Sequence, residues 1–128
     1  MSLPEKSFEP GAACPLDGVQ VIDLSRLVSG NMVRLPLADF GAEVIKIEDP
    51  VRGDPLRAWQ TDDVSVHWKV YSRNKKSVAL NLRAPRGREL LVELIAGTQV
   101  LIENFPARHA GSDASCTCPR PTALSMCG

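Results

Sequence analysis

Residues 68–82 read WKVYSRNKKSVALNL, and this stretch decides the fold class. Its second half alternates Val78, Leu80 and Leu82 with small or polar residues, which is typical of a half-buried β-strand. A cationic loop at residues 73–76 leads directly into this strand. Cations that a sheet holds in place are well suited to bind the phosphates of a ligand. The stretch therefore predicts a sheet that carries an anion-binding loop.

Outward from this strand, the apolar pattern predicts further strands that alternate with helices. Pro85 suits the first turn of one helix, while Gly41 and Gly97 are placed to end helices. Pro36 conflicts with the other helix, because an interior proline costs about 3 kcal/mol, so we expect that helix to kink or to start late. The pattern predicts an α/β fold with a mostly parallel sheet and flanking helices. Strands are predicted at residues 19–24, 42–47, 77–82 and 100–103, helices at 31–40 (capped by Asn31) and 85–96, a loop at 25–30, and a short helix or extended chain at 64–71.

The composition is that of a soluble globular protein with room for one small domain. The chain has 128 residues, of which 44% are hydrophobic and 23% charged, and its net charge is zero. Nothing in this balance indicates a nucleic-acid or membrane surface. No apolar run approaches the ~20 residues of a membrane span. Residues 1–14 are predicted to be a disordered leader without the apolar core of a secretory signal, so we expect a cytoplasmic location.

The four cysteines are spread unevenly, with Cys14 in the leader and the other three in the last part of the chain. A disulfide framework would be distributed through the domain. Cys116 and Cys118 are separated by one residue, fewer than the two to four that zinc fingers use. His109 could add a ligand, but no second pair of ligands follows at a suitable spacing. We therefore predict incidental free thiols, including Cys127, and no metal site.

Residues 106–128 differ from the rest of the chain. They contain no Ile, Val, Lys, Glu, Phe, Tyr or Trp, and are rich in Pro, Cys, Ala and Ser. Such a segment cannot bury enough apolar surface to offset its ordering entropy, so we predict a disordered tail. The composition resembles translation of GC-rich codons, and we hypothesise that the tail is an out-of-frame product.

Several motifs occur in register along residues 15–105 and carry a family resemblance. They are PLDGVQVIDLS at residues 15–25, LADFGAEVIKIE at 37–48, GDPLR at 53–57, RNKKS at 73–77 and IENF at 102–105. Together they resemble the N-terminal part of the class III coenzyme A transferases, the family of formyl-CoA transferase, carnitine CoA-transferase and α-methylacyl-CoA racemase. Each motif alone is common, whereas the set in this order is specific.

The resemblance implies an activity and an assembly. The family transfers CoA between carboxylic acids through an aspartyl-CoA thioester, with CoA or acyl-CoA as substrate and no metal. It has a Rossmann-like large domain, a second smaller domain and an interlocked homodimer. The family's nucleophilic aspartate lies beyond the residues of this chain, so we expect an incomplete, CoA-binding portion that is inactive alone. The alternatives are a small CoA- or nucleotide-binding module without catalysis, and a nonfunctional fragment whose sheet edges aggregate.

The resemblance also assigns binding residues, while it assigns no catalytic residue within this chain. The loop at residues 26–30 lies where the family lines the thioester end of CoA. In physical terms, Lys75 and Arg83 suit phosphates and Leu80 suits an adenine face. The predicted CoA-binding residues are Val28, Ser29, Lys75, Leu80, Arg83, Asn104 and Phe105.

A structural role is the alternative for several of these positions. Lys75 fits a solvated loop, Arg83 an ordinary surface position, and Asn104 a turn. Asp23 and Asp39 fit acid–base chemistry by residue type, but we favour structural roles for both. Val28 stands where some transferases carry a glutamine, so neither the subfamily nor the acyl donor and acceptor follow from the sequence.

Overall fold

The computed structural model describes Ser7, residues 9–105 and the backbone of Leu124–Ser125. Its strands are β1 (Gln20–Asp23), β2 (Glu43–Glu48), β3 (Lys75–Ala79), β4 (Val100–Glu103) and β5 (Leu124–Ser125), its helices are α1 (Leu27–Asp39), α2 (Val66–Tyr71) and α3 (Pro85–Ala96), and Pro55–Ala58 forms a 3₁₀ helix. The alternation of strands and helices confirms the predicted α/β class. Within the described residues, no helix has the length and apolar character that a membrane crossing needs.

The strands form one parallel sheet in the order β3-β2-β1-β4-β5. The central strand β1 has partners on both sides, since Val21 is in register with Val44 of β2 and with Val100 of β4. The chain builds the sheet outward from β1 to β3 and then crosses back to place β4 on the other side. This reversal opens a crevice at the carboxyl ends of β1 and β4, where open α/β sheets bind ligands.

Apolar side chains bury both faces of the sheet. On one face, Val21 and Val44 pack with Ala38 of α1. On the opposite face, Ile22 and Ile47 pack with Ile95 of α3. Each fully buried valine or isoleucine side chain contributes about 1.5–3 kcal/mol, so the two clusters hold the strand ends in fixed positions.

The first helix differs from the prediction at its start. α1 begins at Leu27 and runs continuously through Pro36, so the expected late start is wrong. Asn31 is not its cap but a buried interior residue, whose Nδ2 donates to the Leu27 carbonyl oxygen. Pro36 is on an exposed side of the helix, where its missing hydrogen bond is tolerated more easily. Residues 27–30 therefore form the first helical turn instead of a loop.

The third strand also begins earlier than predicted. β3 starts at Lys75 and ends at Ala79, so Lys75 and Lys76 belong to the strand and not to the loop before it. Asn74 has a positive φ of 56°, a conformation that asparagine tolerates, and this turns the chain directly into the strand. The ambiguous segment at 64–71 contains the short helix α2. The predicted leader falls partly, and the predicted tail almost entirely, outside the described residues.

Candidate functional site

A crevice of about 190 Å³ lies at the carboxyl ends of the strands, on the side of the reversal between β1 and β4. The segments that follow β1, β2, β3 and β4 all contribute residues to its lining. Its apolar lining includes Leu24, Pro55, Leu80, Leu82 and Phe105, and its basic lining includes Arg26, Arg52 and Arg83. The mixture of arginines and apolar side chains suits a ligand with phosphates and a flat ring system.

Asn104 fixes the wall between β1 and β4. Its Oδ1 accepts the N–H of Arg26 at 2.8 Å, and its Nδ2 donates to the Arg26 carbonyl oxygen at 2.9 Å and to Ser29 Oγ at 3.2 Å. The guanidinium of Arg26 lies over the ring of Phe105, with its carbon 5.7 Å from the ring centroid. The Asn104 side chain therefore holds backbone and positions Arg26 and Phe105 beside the crevice.

The opposite wall carries two further arginines. Asp49 Oδ1 accepts the N–H groups of Val51 and Arg52, each at 2.9 Å, which shapes the turn that carries Arg52. These two hydrogen bonds lower the pKa of Asp49, and the charge of Arg83 adds to the effect. Arg83 is exposed, and its N–H donates to Asn81 Oδ1 at 3.1 Å. Asp49 is ionised here but accompanied by Arg52 and Arg83, so the net charge of this wall favours anions.

Buried charged groups form the floor of the crevice. The Lys46 ammonium donates to the Ser25 carbonyl oxygen at 2.7 Å and lies 2.8 Å from Asp54 Oδ2. Lys46 is 3% exposed, and this burial, together with the charge of Arg34, lowers its pKa to about 8. The network ties β1, β2 and the turn at Asp54 into one rigid base.

Glu48 is the second anchor of this floor. Its carboxylate accepts hydrogen bonds from Nε and Nη2 of Arg57, at 2.8 and 2.9 Å. It also accepts hydrogen bonds from the Ser77 hydroxyl and the Asp54 N–H. Burial alone would raise the Glu48 pKa, but these hydrogen bonds outweigh it and hold the pKa at about 2. Glu48 therefore stays ionised and immobile at neutral pH.

Asp23 and Asp39 take part in separate structural clusters. Asp23 is fully buried, accepts Ser25 N–H and Oγ, and pairs with the Arg34 guanidinium. Asp39, at the end of α1, pairs with Arg73 at 2.7 Å, and its pKa is lowered by that hydrogen bond. These contacts support structural roles for both carboxylates.

The structure brings some of the predicted binding residues together and separates one. Leu80, Arg83 and Phe105 line the crevice. Asn104 and Ser29 hydrogen-bond to each other at its side, and half-buried Val28 lies in the same first turn of α1. Lys75 lies at the opposite, amino end of β3, where its ammonium donates to the Tyr71 carbonyl oxygen. Its role in CoA binding stays a prediction, and the crevice does not include it.

The sequence prediction missed Arg52 and Asp49 and left Arg26 out of the binding set. All three stand two to five residues after a predicted strand, which is the position where ligand-binding loops occur in parallel sheets. That rule could have selected them. Within the part of the chain that the structure describes, no cluster of three or more His, Cys, Asp and Glu side chains is arranged to hold a metal ion. Cys14 is a free, exposed thiol, while the other cysteines and His109 fall outside the described residues.

Sequence comparison places the chain in a known family. Residues 16–112 match CoA-transferase family III, and the chain belongs to this family. A succinyl-CoA–D-citramalate CoA-transferase of Chloroflexus aurantiacus is 43% identical over 94 residues, and a succinyl-CoA:glutarate CoA-transferase of Mus musculus is 43% identical over 94 residues. The resemblance to class III CoA-transferases is therefore confirmed.

Solved structures give the same assignment. A CaiB/BaiF family protein from Brucella suis superposes with a TM-score of 0.70 at 35% identity and covers 77% of this chain. The chain spans about a quarter of the length of its relatives: 23% of the Chloroflexus enzyme, 22% of the mouse enzyme and 28% of the Brucella protein.

Proposed function

We propose that this chain binds coenzyme A in the crevice and serves as the CoA-binding portion of a CoA-transferase. The observation that carries the proposal is the crevice itself, with three arginines and several apolar side chains at the reversal point of a family III fold. Arginine forks suit phosphate oxygens, and apolar walls suit a purine. At about 190 Å³ the crevice is smaller than the ~300–1,000 Å³ of complete pockets. This size suits a site that holds only part of a long ligand.

Each wall has its own proposed role. Arg83 and Arg52 bind the phosphates, while Leu80 contacts the adenine. Ser29, Val28 and the loop held by Asn104 face the thioester end, with Phe105 beside it, as the family resemblance implies. The position of these residues around one crevice supports the proposed roles. Lys75 does not line the crevice.

Chemistry requires a nucleophile that the crevice does not offer. Its carboxylates are engaged, since Glu48 pairs with Arg57, Asp54 pairs with Lys46, and Asp49 accepts two backbone N–H groups. We propose that the reaction proceeds through an aspartyl-CoA thioester whose aspartate lies outside the described crevice, within an interlocked cytoplasmic homodimer. The 128-residue chain then binds CoA without turnover. The alternative, a CoA-binding module without catalysis, predicts the same binding of CoA. It differs only in that no catalytic aspartate acts together with the crevice.

Calorimetry tests the binding proposal with a matched pair of variants. Arg83→Ala removes a crevice cation, whereas Arg86→Ala removes an exposed cation of α3 that pairs with Glu89 outside the crevice. We expect CoA binding that Arg83→Ala weakens about tenfold and Arg86→Ala leaves unchanged. Pantetheine, which has no phosphates, should bind far more weakly than CoA. Absence of heat with CoA would disprove the binding role, and turnover of succinyl-CoA with glutarate by the purified chain would disprove the proposed inactivity.

A further inference from the structure

A second pocket lies on the α1 face of the sheet, away from the segments that follow β1, β3 and β4. It has a volume of about 200 Å³, and we call it the basic pocket. α1, α2, β2 and β3 each supply part of its lining. Its lining residues are Arg34, Lys46, Glu48, Trp68, Ser72, Lys75, Lys76 and Ser77. Lys46 and Glu48 are shared with the floor of the crevice, and the other residues belong to this pocket alone.

Arg34 is the unusual group in this pocket. Its side chain is 0% exposed, and Nη1 contacts the carboxylate of Asp23. Its Nε and Nη2 have no hydrogen-bond partner among the described residues. Buried polar groups almost always have partners, because an unmade hydrogen bond leaves the cost of desolvation uncompensated. Two adjacent free donors of one planar guanidinium match the geometry of a bidentate acceptor such as a carboxylate.

The charge of the basic pocket also favours an anion. Most of its charged groups are already paired within the described residues: Lys46 with Asp54, Glu48 with Arg57, and Lys76 with Glu43. Lys75 is in none of the ion pairs of this part of the chain, and its ammonium donates to the Tyr71 carbonyl oxygen. Burial, followed by the charges of Arg34 and Lys46, lowers the Lys75 pKa to about 7. Below pH 7 the pocket thus holds an uncompensated positive charge next to the free guanidinium donors.

We propose that the basic pocket binds the carboxylate of a small organic acid, with Arg34 Nε and Nη2 donating to its two oxygens and Lys75 contributing its charge. Trp68 and Ser72 line the space for the rest of the acid. Its volume, below the ~300–1,000 Å³ of pockets for larger ligands, limits the ligand to a few carbon atoms. The inference is independent of CoA binding, because it rests on Arg34 and Lys75, which do not line the crevice.

Trp68 provides the optical signal for a direct test. In the full chain with Trp59→Phe, the remaining tryptophan lines the basic pocket. Titration with succinate and acetate at constant ionic strength should change its fluorescence saturably, while chloride should not. Lys75→Met should weaken binding severalfold and Arg34→Lys, which keeps the charge but loses the fork, about tenfold. The matched control Arg73→Gln removes an exposed cation that pairs with Asp39 outside the pocket, and should leave binding unchanged.

A second measurement keeps the test decisive if an Arg34 variant fails to fold. In the unsubstituted chain, the NMR resonance of the Arg34 Nε–H should shift on addition of succinate and stay unchanged with chloride. A severalfold weaker fluorescence titration in Lys75→Met together with this shift supports the proposal. No saturable response, equal binding of chloride, stronger binding of inorganic phosphate than of succinate, or a resonance that follows protein concentration instead of acid concentration would each overturn it.

Discussion

Asn104 and Arg26 exchange a reciprocal pair of hydrogen bonds across the reversal point of the sheet. The Arg26 N–H donates to Asn104 Oδ1 at 2.8 Å, and Asn104 Nδ2 donates to the Arg26 carbonyl oxygen at 2.9 Å, between residues 78 positions apart in the sequence. One side chain therefore continues the connection between β1 and β4 beyond their paired residues, and it holds the segments after these two strands together as one wall of the crevice.

Replacing Asn104 should loosen this connection. We expect Asn104→Ala to lower the free energy of unfolding by about 1–2 kcal/mol, since two backbone hydrogen bonds are lost, and to weaken CoA binding because Arg26 and Phe105 lose their support. Urea unfolding and calorimetry measure the two effects. Asn104→Asp retains the acceptor for Arg26 N–H but not the donor, so its effects should be intermediate. Unchanged stability in Asn104→Ala would contradict the positioning role.

Glu48 should make stability depend on acid pH. Its pKa is lowered from 4.5 to about 2, so its contribution is complete above about pH 4.5 and is lost as the pH falls towards 2. Glu48→Gln should therefore cost on the order of 3 kcal/mol at pH 7, with a difference that shrinks between pH 4.5 and 2.

Denaturant titrations of the Glu48 variant and the unsubstituted chain at several pH values measure this difference. The matched control is Glu89→Gln, at an exposed position on α3 whose partner is the exposed Arg86. It should change stability by less than about 0.5 kcal/mol at all these pH values. A Glu48→Gln penalty that is constant from pH 7 to pH 2 would show that the carboxylate charge is not the cause.

Lys75, in contrast to Glu48, should destabilise the folded chain at the pH values where its side chain is charged. Its pKa is lowered from 10.5 to about 7, so between these values the unfolded chain binds more protons than the folded one, and stability rises with pH. Lys75→Met removes the buried charge and should raise the melting temperature at pH 6, with a gain that declines towards pH 10. The exposed Lys69→Met on α2 is the control, and we expect little change in its melting temperature. A lower melting temperature for Lys75→Met at pH 6 would argue against a desolvated ammonium.

Gly87 should tolerate no side chain. A Cβ at this position would lie 2.0 Å from the backbone carbonyl oxygen of Asn81, so α3 or the loop at residues 81–83 must move. We expect Gly87→Ala to destabilise the chain by about 1–3 kcal/mol or more and to weaken CoA binding through displaced Arg83. Gly97→Ala is the matched control, because the nearest atom to its Cβ would be Gln20 Oε1, at an ordinary contact distance of 3.9 Å. Equal stability of the two variants, measured by thermal melting, would refute the close contact.

The sequence predicted the sheet well because buried parallel strands are short apolar runs. Four of the strands were predicted with ends within three residues of the observed ones, and Pro85 and Gly97 correctly marked the ends of α3. The start of α1 was missed because it depends on tertiary contacts. Gly30 lies against Ser25, and the side chain of Asn31 turns back to the Leu27 carbonyl oxygen instead of capping a helix.

The candidate site was predicted only in part. Leu80, Arg83 and Phe105 were predicted as binding residues, and all three line the crevice. Arg52 was missed because its position depends on a turn that Asp49 shapes. Lys75 was grouped with Arg83 because both cations suit phosphates. Lys75 lies at the amino end of β3 and Arg83 beyond its carboxyl end, so the two line different pockets.

The pairing of β1 has a consequence for the order in which the molecule folds. β1 can pair with β2 once the chain has been synthesised past Val44. The other edge of β1 can pair with β4 only after Val100 has been synthesised. Contacts between distant residues form late, because the loop that joins them must first be closed. During synthesis the α1 face can therefore assemble while the crevice has only one wall. The capacity to recognise a ligand there should be among the last properties that the nascent chain acquires.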